Sequence, residues 1–136
     1  MNEITVSADR SHLEDVQRFI ETELEPVNCP IKIRMQIALA VEEIFVNISD
    51  YAYHPGIGFV TIRSTIQKDK PAITIQFRDQ GKPYNPLKKI DADITLNAED
   101  RTIGGLGILL VKKTMDSVRY DYQDGTNILT IEKILK

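Results

Sequence analysis

Cysteine is almost missing from this chain: Cys29 is the single one among 136 residues. No internal disulfide can form, which fits a reducing compartment. Tryptophan is absent, and histidine occurs twice, as His12 and His54. One cysteine and two scattered histidines give no zinc-type ligand spacing. A metal held by protein ligands alone is therefore not expected. No apolar run approaches the roughly 20 residues needed to cross a bilayer. The opening MNEITVSADR lacks the basic start and apolar stretch of a secretory signal. Positive charge is also scarce, with 17 Lys and Arg against 20 Asp and Glu and a net charge of −3. The basic residues pair up, as in Lys88-Lys89 and Lys112-Lys113, and form no stripe. That excludes the electrostatic footprint of a nucleic-acid binder. The expectation is a cytoplasmic protein with no membrane and no direct nucleic-acid contact.

What is present is ordinary for a globular protein: 42% apolar and 27% charged residues. The length suits one domain over residues 1–136, with a genuine core. EITVS, residues 3–7, alternates and reads as a strand. Leu13, Val16, Phe19, Ile20 and Leu24 recur at helical spacing, with Asp9 or Ser11 as the cap. A longer helical pattern begins at Ile31 and is expected to stop near His54-Pro55-Gly56. Residues 57–79 read as a hairpin, residues 106–115 as a helix, and residues 117–135 as a second hairpin turning at Asp124-Gly125. Between Gln80 and Ile103 the periodicity is lost. A loop of about twenty residues in a compact domain is more often functional than idle. Helices and strands are segregated, which predicts an α+β, two-layer sandwich with a mixed, mostly antiparallel sheet and helices on one face.

Three stretches carry candidate chemistry. On the long helix, Glu43 and Asn47 are four residues apart and stack on one face. They flank the apolar stripe of Ile33, Ile37, Val41, Ile44 and Ile48, whereas Glu42 points to the other flank. An asparagine oxygen suits magnesium, which takes few protein ligands plus phosphate. A glutamate one turn away can accept a proton from a nucleophile. Taken alone, the pair also reads as an ordinary solvated pair on a helix edge.

The second stretch is RDQGKPYNP, at the end of a strand. Asp79 can accept a hydrogen bond from an exocyclic amine. Gly81 is expected to allow positive φ and a close approach to the backbone, and Pro83 to stiffen the exit. An ordinary turn after a strand accounts for the same residues. The third stretch is RTIGGLGILL, where Gly104, Gly105 and Gly107 are expected to precede a helix whose free N–H groups face phosphate. It is neither a P-loop nor the dinucleotide fingerprint, because the Gly-Lys-Ser/Thr ending and the third glycine of Gly-x-Gly-x-x-Gly are both missing.

In this order, the segments AVEEIFVNISDYAY, RDQGKPYNPL and GGLGILLVKKTMD resemble the asparagine box and the two glycine boxes of one ATPase fold. That Bergerat-type fold is shared by DNA gyrase, heat-shock chaperones, sensor histidine kinases and MutL. The resemblance narrows to the anti-sigma-factor serine kinases. It implies bound ATP and Mg²⁺, with Asn47 on the magnesium, Glu43 as general base and Asp79 on the adenine amine. It further implies that Gly81, Pro83, Gly104, Gly105, Leu106 and Gly107 shape the nucleotide pocket, with residues 86–103 as the ATP lid. Arg101 is a candidate γ-phosphate contact, since Lys88 and Lys89 lie far from the glycines. The implied partners are a sigma factor held inactive and an anti-sigma factor antagonist phosphorylated on serine, with a homodimer as the assembly. Three after Asn47 stands Asp50, where many of these kinases carry histidine. A nucleotide-gated binding module of the same fold, without phosphotransfer, is the alternative.

Overall fold

Alternating side chains set the architecture. Strand β2 (Phe59–Gln67) buries Val60, Ile62 and Ser64, and β3 (Ala72–Asp79) buries Ile73, Ile75, Phe77 and Asp79 on the same side. Period two puts these residues on one face of a pleated sheet. The computed structural model describes residues 1–87 and 103–136, with side chains in the second stretch from Gly107 onward. Within these residues the other strands are β1 (Asn2–Ser7), β4 (Ser117–Gln123) and β5 (Thr126–Ile134). The sheet runs β1-β2-β3-β5-β4, and all four pairings are antiparallel.

Helices α1 (Leu13–Leu24), α2 (Ile31–Asn47) and α3 (Ile103–Thr114) cover the apolar face. Asp9 accepts a hydrogen bond from the Ser11 N–H at 2.9 Å and so caps the short turn that leads into α1. Val16, Ile20 and Leu24, each four apart, are buried from α1. Helix α2 is central. Its Ile37, Val41 and Ile44 are buried as the periodicity requires, and Phe45 joins them fully enclosed. Burying each such side chain is worth about 1.5–3 kcal/mol against leaving it in water.

Two boundaries differ from the sequence reading. The long helix does not run as one α-helix toward His54: it closes at Asn47 and continues as a wider π-type turn over Ile48–Ala52. Such turns often mark functional sites. Helix α3 starts at Ile103, so Gly104, Gly105 and Gly107 lie inside its first turns and do not precede it. At the closing hairpin, Asp124 and Gly125 have φ of 51° and 77°, the pair of positive values a two-residue type I′ turn needs.

Candidate functional site

The end of α2, the end of β3 and the start of α3 converge on one cavity of 320 Å³, within the range of small-molecule sites. Asn47, Ile44 and Tyr51 line it from the second helix and the turn that follows. Asp79 and Pro83 line it from the strand end, Ile108 from α3, and Tyr120, Asn127 and Leu129 from the last two strands. The walls are mainly apolar, with a few polar groups among them.

Asp79 is 6% exposed, an unusual place for a carboxylate. Strand parity puts it there: it is the last residue in the row of Ile73, Ile75 and Phe77. Its Oδ1 accepts from the Gly81 N–H at 2.9 Å and from Asn127 Nδ2 at 3.0 Å. Oδ2 has no hydrogen bond among the described residues, and it is not one of the sealed, unpartnered atoms. One acceptor oxygen is therefore spoken for, and the other is left unbonded on a residue that lines the cavity. Burial raises the Asp79 pKa above the ordinary carboxylate range, against the opposing pull of the Asn127 and Gly81 hydrogen bonds.

Asn47 is partly buried, and its side-chain amide makes no hydrogen bond among the described residues. Its oxygen is free for an incoming group. Glu43, one turn earlier, is also half-buried, and Glu42 is exposed on the other flank as expected. Burial first, and Glu42 second, raise the Glu43 pKa. The Glu43 carboxylate lies against Gly107: a Cβ built on that glycine would overlap Glu43 Oε2 and Cδ. The first and third stretches of the sequence thus touch directly, and the glycine is what lets them.

Gly81 serves a different end from the one expected. Its φ is not positive; Gly125 is the one positive-φ glycine among the described residues. A Cβ at Gly81 would overlap the Ala52 carbonyl, and the adjoining Lys82 N–H donates to Ala52 O at 2.8 Å. The missing side chain lets the loop after β3 pack on the turn after α2. Gly104 and Gly105 lie in the helical backbone of α3. Arg101 and positions 88–102 of the expected lid lie outside the described residues, as does the Leu106 side chain.

Sequence reasoning missed two contributors. Asn127, 6% exposed, bonds to Asp79 across the β3–β5 pairing. Its signal was the parity of NILTI, which puts Asn127 in the same inward row as Leu129 and Ile131. Tyr53 is the other. Its hydroxyl donates to Phe59 O at 2.6 Å and accepts from the Gln80 N–H at 2.7 Å, which braces the residue after Asp79. Asp50 is held by Arg10 through two hydrogen bonds, at 2.9 and 2.5 Å, which tie the turn before α1 to the turn after α2.

A buried carboxylate at a strand end, a free asparagine on the facing helix and a glycine-bearing helix start thus meet around one cavity. The profile described as "Histidine kinase-like ATPase domain" matches residues 6–133, and the chain belongs to that family. The chain is 26% identical over 100 residues to the serine/threonine-protein kinase BtrW of Bordetella bronchiseptica, covering 74% of this chain and 70% of that protein. It is also 26% identical over 98 residues to the serine-protein kinase RsbW of Bacillus cereus, covering 71% of this chain and 61% of the relative. Among solved structures, it matches the histidine kinase domain of the Erythrobacter litoralis EL346 blue-light activated histidine kinase. The TM-score there is 0.60 at 15% identity, over 93% of this chain and 60% of the other. The larger EL346 kinase structure gives a TM-score of 0.53 at 16% identity, over 78% of this chain and 34% of the other. These two likenesses concern the fold. Among the described residues no helix is long and apolar enough to cross a membrane.

Proposed function

We propose that this chain is an ATP-binding serine-protein kinase of the anti-sigma type, acting on a small protein partner. The observation that carries the reading is the cavity in which Asn47 and Asp79 face a common space, with Asp79 offering a single free acceptor oxygen. Residues 1–136 form one nucleotide-binding unit, and residues 86–103 are its lid.

The parts divide the work. Asp79 Oδ2 accepts the exocyclic amine of adenine, and apolar Ile44, Ile108 and Leu129 hold the ring. A guanine presents an oxygen at that position and is turned away, because an ionised carboxylate only accepts. Gly81, Pro83 and the helix start with Gly104, Gly105, Leu106 and Gly107 shape the pocket around the nucleotide.

Mg²⁺ fits the residues present. The Asn47 side-chain oxygen, unbonded among the described residues, would hold the cation, with phosphate and water as its other ligands. When bound, it neutralises charge on the phosphates. Glu43 orients the serine hydroxyl of the partner and takes its proton; burial, by raising its pKa, makes it a better base than an exposed carboxylate. Phosphoryl transfer depends mainly on positioning and electrostatics, so a short list of side chains suffices.

The similarity to two proteins named as serine-protein kinases supports a protein substrate. The partners in this reading are those the anti-sigma resemblance implies, a sigma factor held inactive and an antagonist phosphorylated on serine. The chain acts as a homodimer in the cytoplasm, within transcription regulation. The test is capture of partners from cell extract with and without Mg-ATP, followed by γ-labelled ATP and the captured proteins. Label on a partner serine that disappears with Glu43→Ala supports the kinase. Nucleotide-dependent capture with no label on any partner favours a gated binding module.

A further inference from the structure

A buried asparagine at the end of an apolar row needs a reason. Asn127 is 6% exposed, and both ends of its amide are engaged. Nδ2 donates to Asp79 Oδ1 at 3.0 Å and to Lys82 O at 2.9 Å, with Gly81 O a longer third acceptor at 3.4 Å. Oδ1 accepts from the Tyr84 N–H at 3.2 Å and from the Tyr120 hydroxyl. An amide has two N–H donors and two lone pairs, so it is saturated here. Its orientation is fixed by chemistry. Nitrogen faces only acceptors and oxygen only donors; a flip would set Oδ1 against a carboxylate and two carbonyls. No other side chain of this size meets that arrangement. Aspartate would face a second carboxylate, and leucine would take away the oxygen to which the Tyr120 hydroxyl donates.

We propose that Asn127 is a positioning residue for base recognition: it pins one oxygen of Asp79 and the backbone of residues 81–84, so that Asp79 presents Oδ2 alone to the amino group of a purine. The proposal rests on the reading of the cavity as the site of the ATP base. Tyr120 acts through Asn127, holding the amide plane that in turn holds the carboxylate. With Oδ1 committed to Gly81 and Asn127, the carboxylate does not rotate to offer its other oxygen or to close on the loop. Asn127 also links recognition to the residues that lead out of β3 toward residue 88, because Gly81, Lys82 and Tyr84 all bond to the same amide.

The experiment compares ATP with inosine triphosphate, which lacks the amino group, by calorimetric titration of the full chain and of Asn127→Leu. The Asp79 carboxyl is followed in parallel by carbon NMR as a function of pH. The unsubstituted chain is expected to prefer ATP by about tenfold or more, the scale of one hydrogen bond to a charged group. In Asn127→Leu the preference is expected to fall to about threefold or less, as the carboxylate loses its orientation. The Asp79 carboxyl is expected to titrate at higher pH, because a donor to its ionised form is gone. A merely structural role would lower the affinity for both nucleotides together and leave their ratio alone. Tyr120→Phe removes one hydroxyl and serves where Asn127→Leu fails to fold; a roughly twofold loss of the preference is expected, being a weaker and indirect disturbance. An undiminished preference in folded Asn127→Leu, with Asp79 titrating unchanged, overturns the role of Asn127 alone, as does an undiminished preference in Tyr120→Phe where Asn127→Leu does not fold. Equal affinity for ATP and inosine triphosphate in the unsubstituted chain overturns the base-binding reading and this proposal together.

Discussion

Gly107→Ala places one methyl group where the Glu43 carboxylate lies, and its effect on stability can be worked out. The backbone at Gly107 is helical with no positive φ, so alanine is allowed there. Replacing glycine by alanine inside a helix gains about 1 kcal/mol. Against this, the new Cβ overlaps Glu43 Oε2 and Cδ. Overpacking costs about 1–3 kcal/mol, and the lower half applies because the obstacle is the end of a flexible side chain that can swing away. The net change in the native background is then about 0–1 kcal/mol of destabilisation. In a Glu43→Ala background the obstacle is gone, and the same substitution should stabilise by about 1 kcal/mol. The two sites are therefore coupled by about 1–2 kcal/mol, well above the ~0.5 kcal/mol scatter of independent sites. Urea unfolding of the four proteins measures the cycle. With a denaturant slope of about 1–3 kcal/mol per molar, the coupling moves a midpoint by at least roughly 0.3 M. Additive midpoints would show that the two stretches do not meet, and the assembly of the site from them would be refuted.

Three other substitutions test individual roles. Asp79→Asn should weaken ATP about tenfold or more and relax its preference over GTP, measured by competition binding; an unchanged ratio removes the adenine role. The same variant has a pH signature. Burial raises the Asp79 pKa in the folded chain, so between the ordinary carboxylate range and that raised value the folded chain holds a proton the unfolded chain has released. Stability therefore falls as pH rises through that window. Asparagine has no such proton, so urea midpoints of Asp79→Asn across the window should be flatter; an unchanged slope contradicts the assignment. Asn47→Ala should abolish magnesium-dependent ATP binding and leave the fold intact by circular dichroism, whereas native affinity in that variant would remove the magnesium role. Glu43→Ala should bind nucleotide and lose phosphotransfer, and near-normal label transfer would place the base elsewhere.

Local periodicity carried most of the fold. The inward row of β3 and the buried stripe of α2 are visible as spacings of two and of three to four, because burial on one face leaves that mark on a sequence. Asp124-Gly125 was legible for a steric reason, since few residue pairs accept two positive φ values. The helix ends were harder. Nothing in ISDYA distinguishes α from the wider turn at Ile48–Ala52, and Gly104-Gly105 read as the approach to a helix from Leu106 although the backbone is helical from Ile103. Long-range contacts were the least legible. Asn127 reaches Asp79 only because β5 pairs with β3 in one register, across 48 positions of sequence. At Gly81 the expected positive φ is absent, and the constraint is the Ala52 carbonyl, a neighbour that local propensity cannot name.

The most direct test is where a bound adenine lies. Nuclear Overhauser contacts between the base protons of Mg-ATP and the side chains of the full chain would report it. Contacts to Ile44, Ile108 and Leu129, one residue from each of α2, α3 and β5, are expected together from a single bound nucleotide. Tight ATP binding with base contacts to residues on the opposite face of the sheet, or to none of these three, would contradict the site.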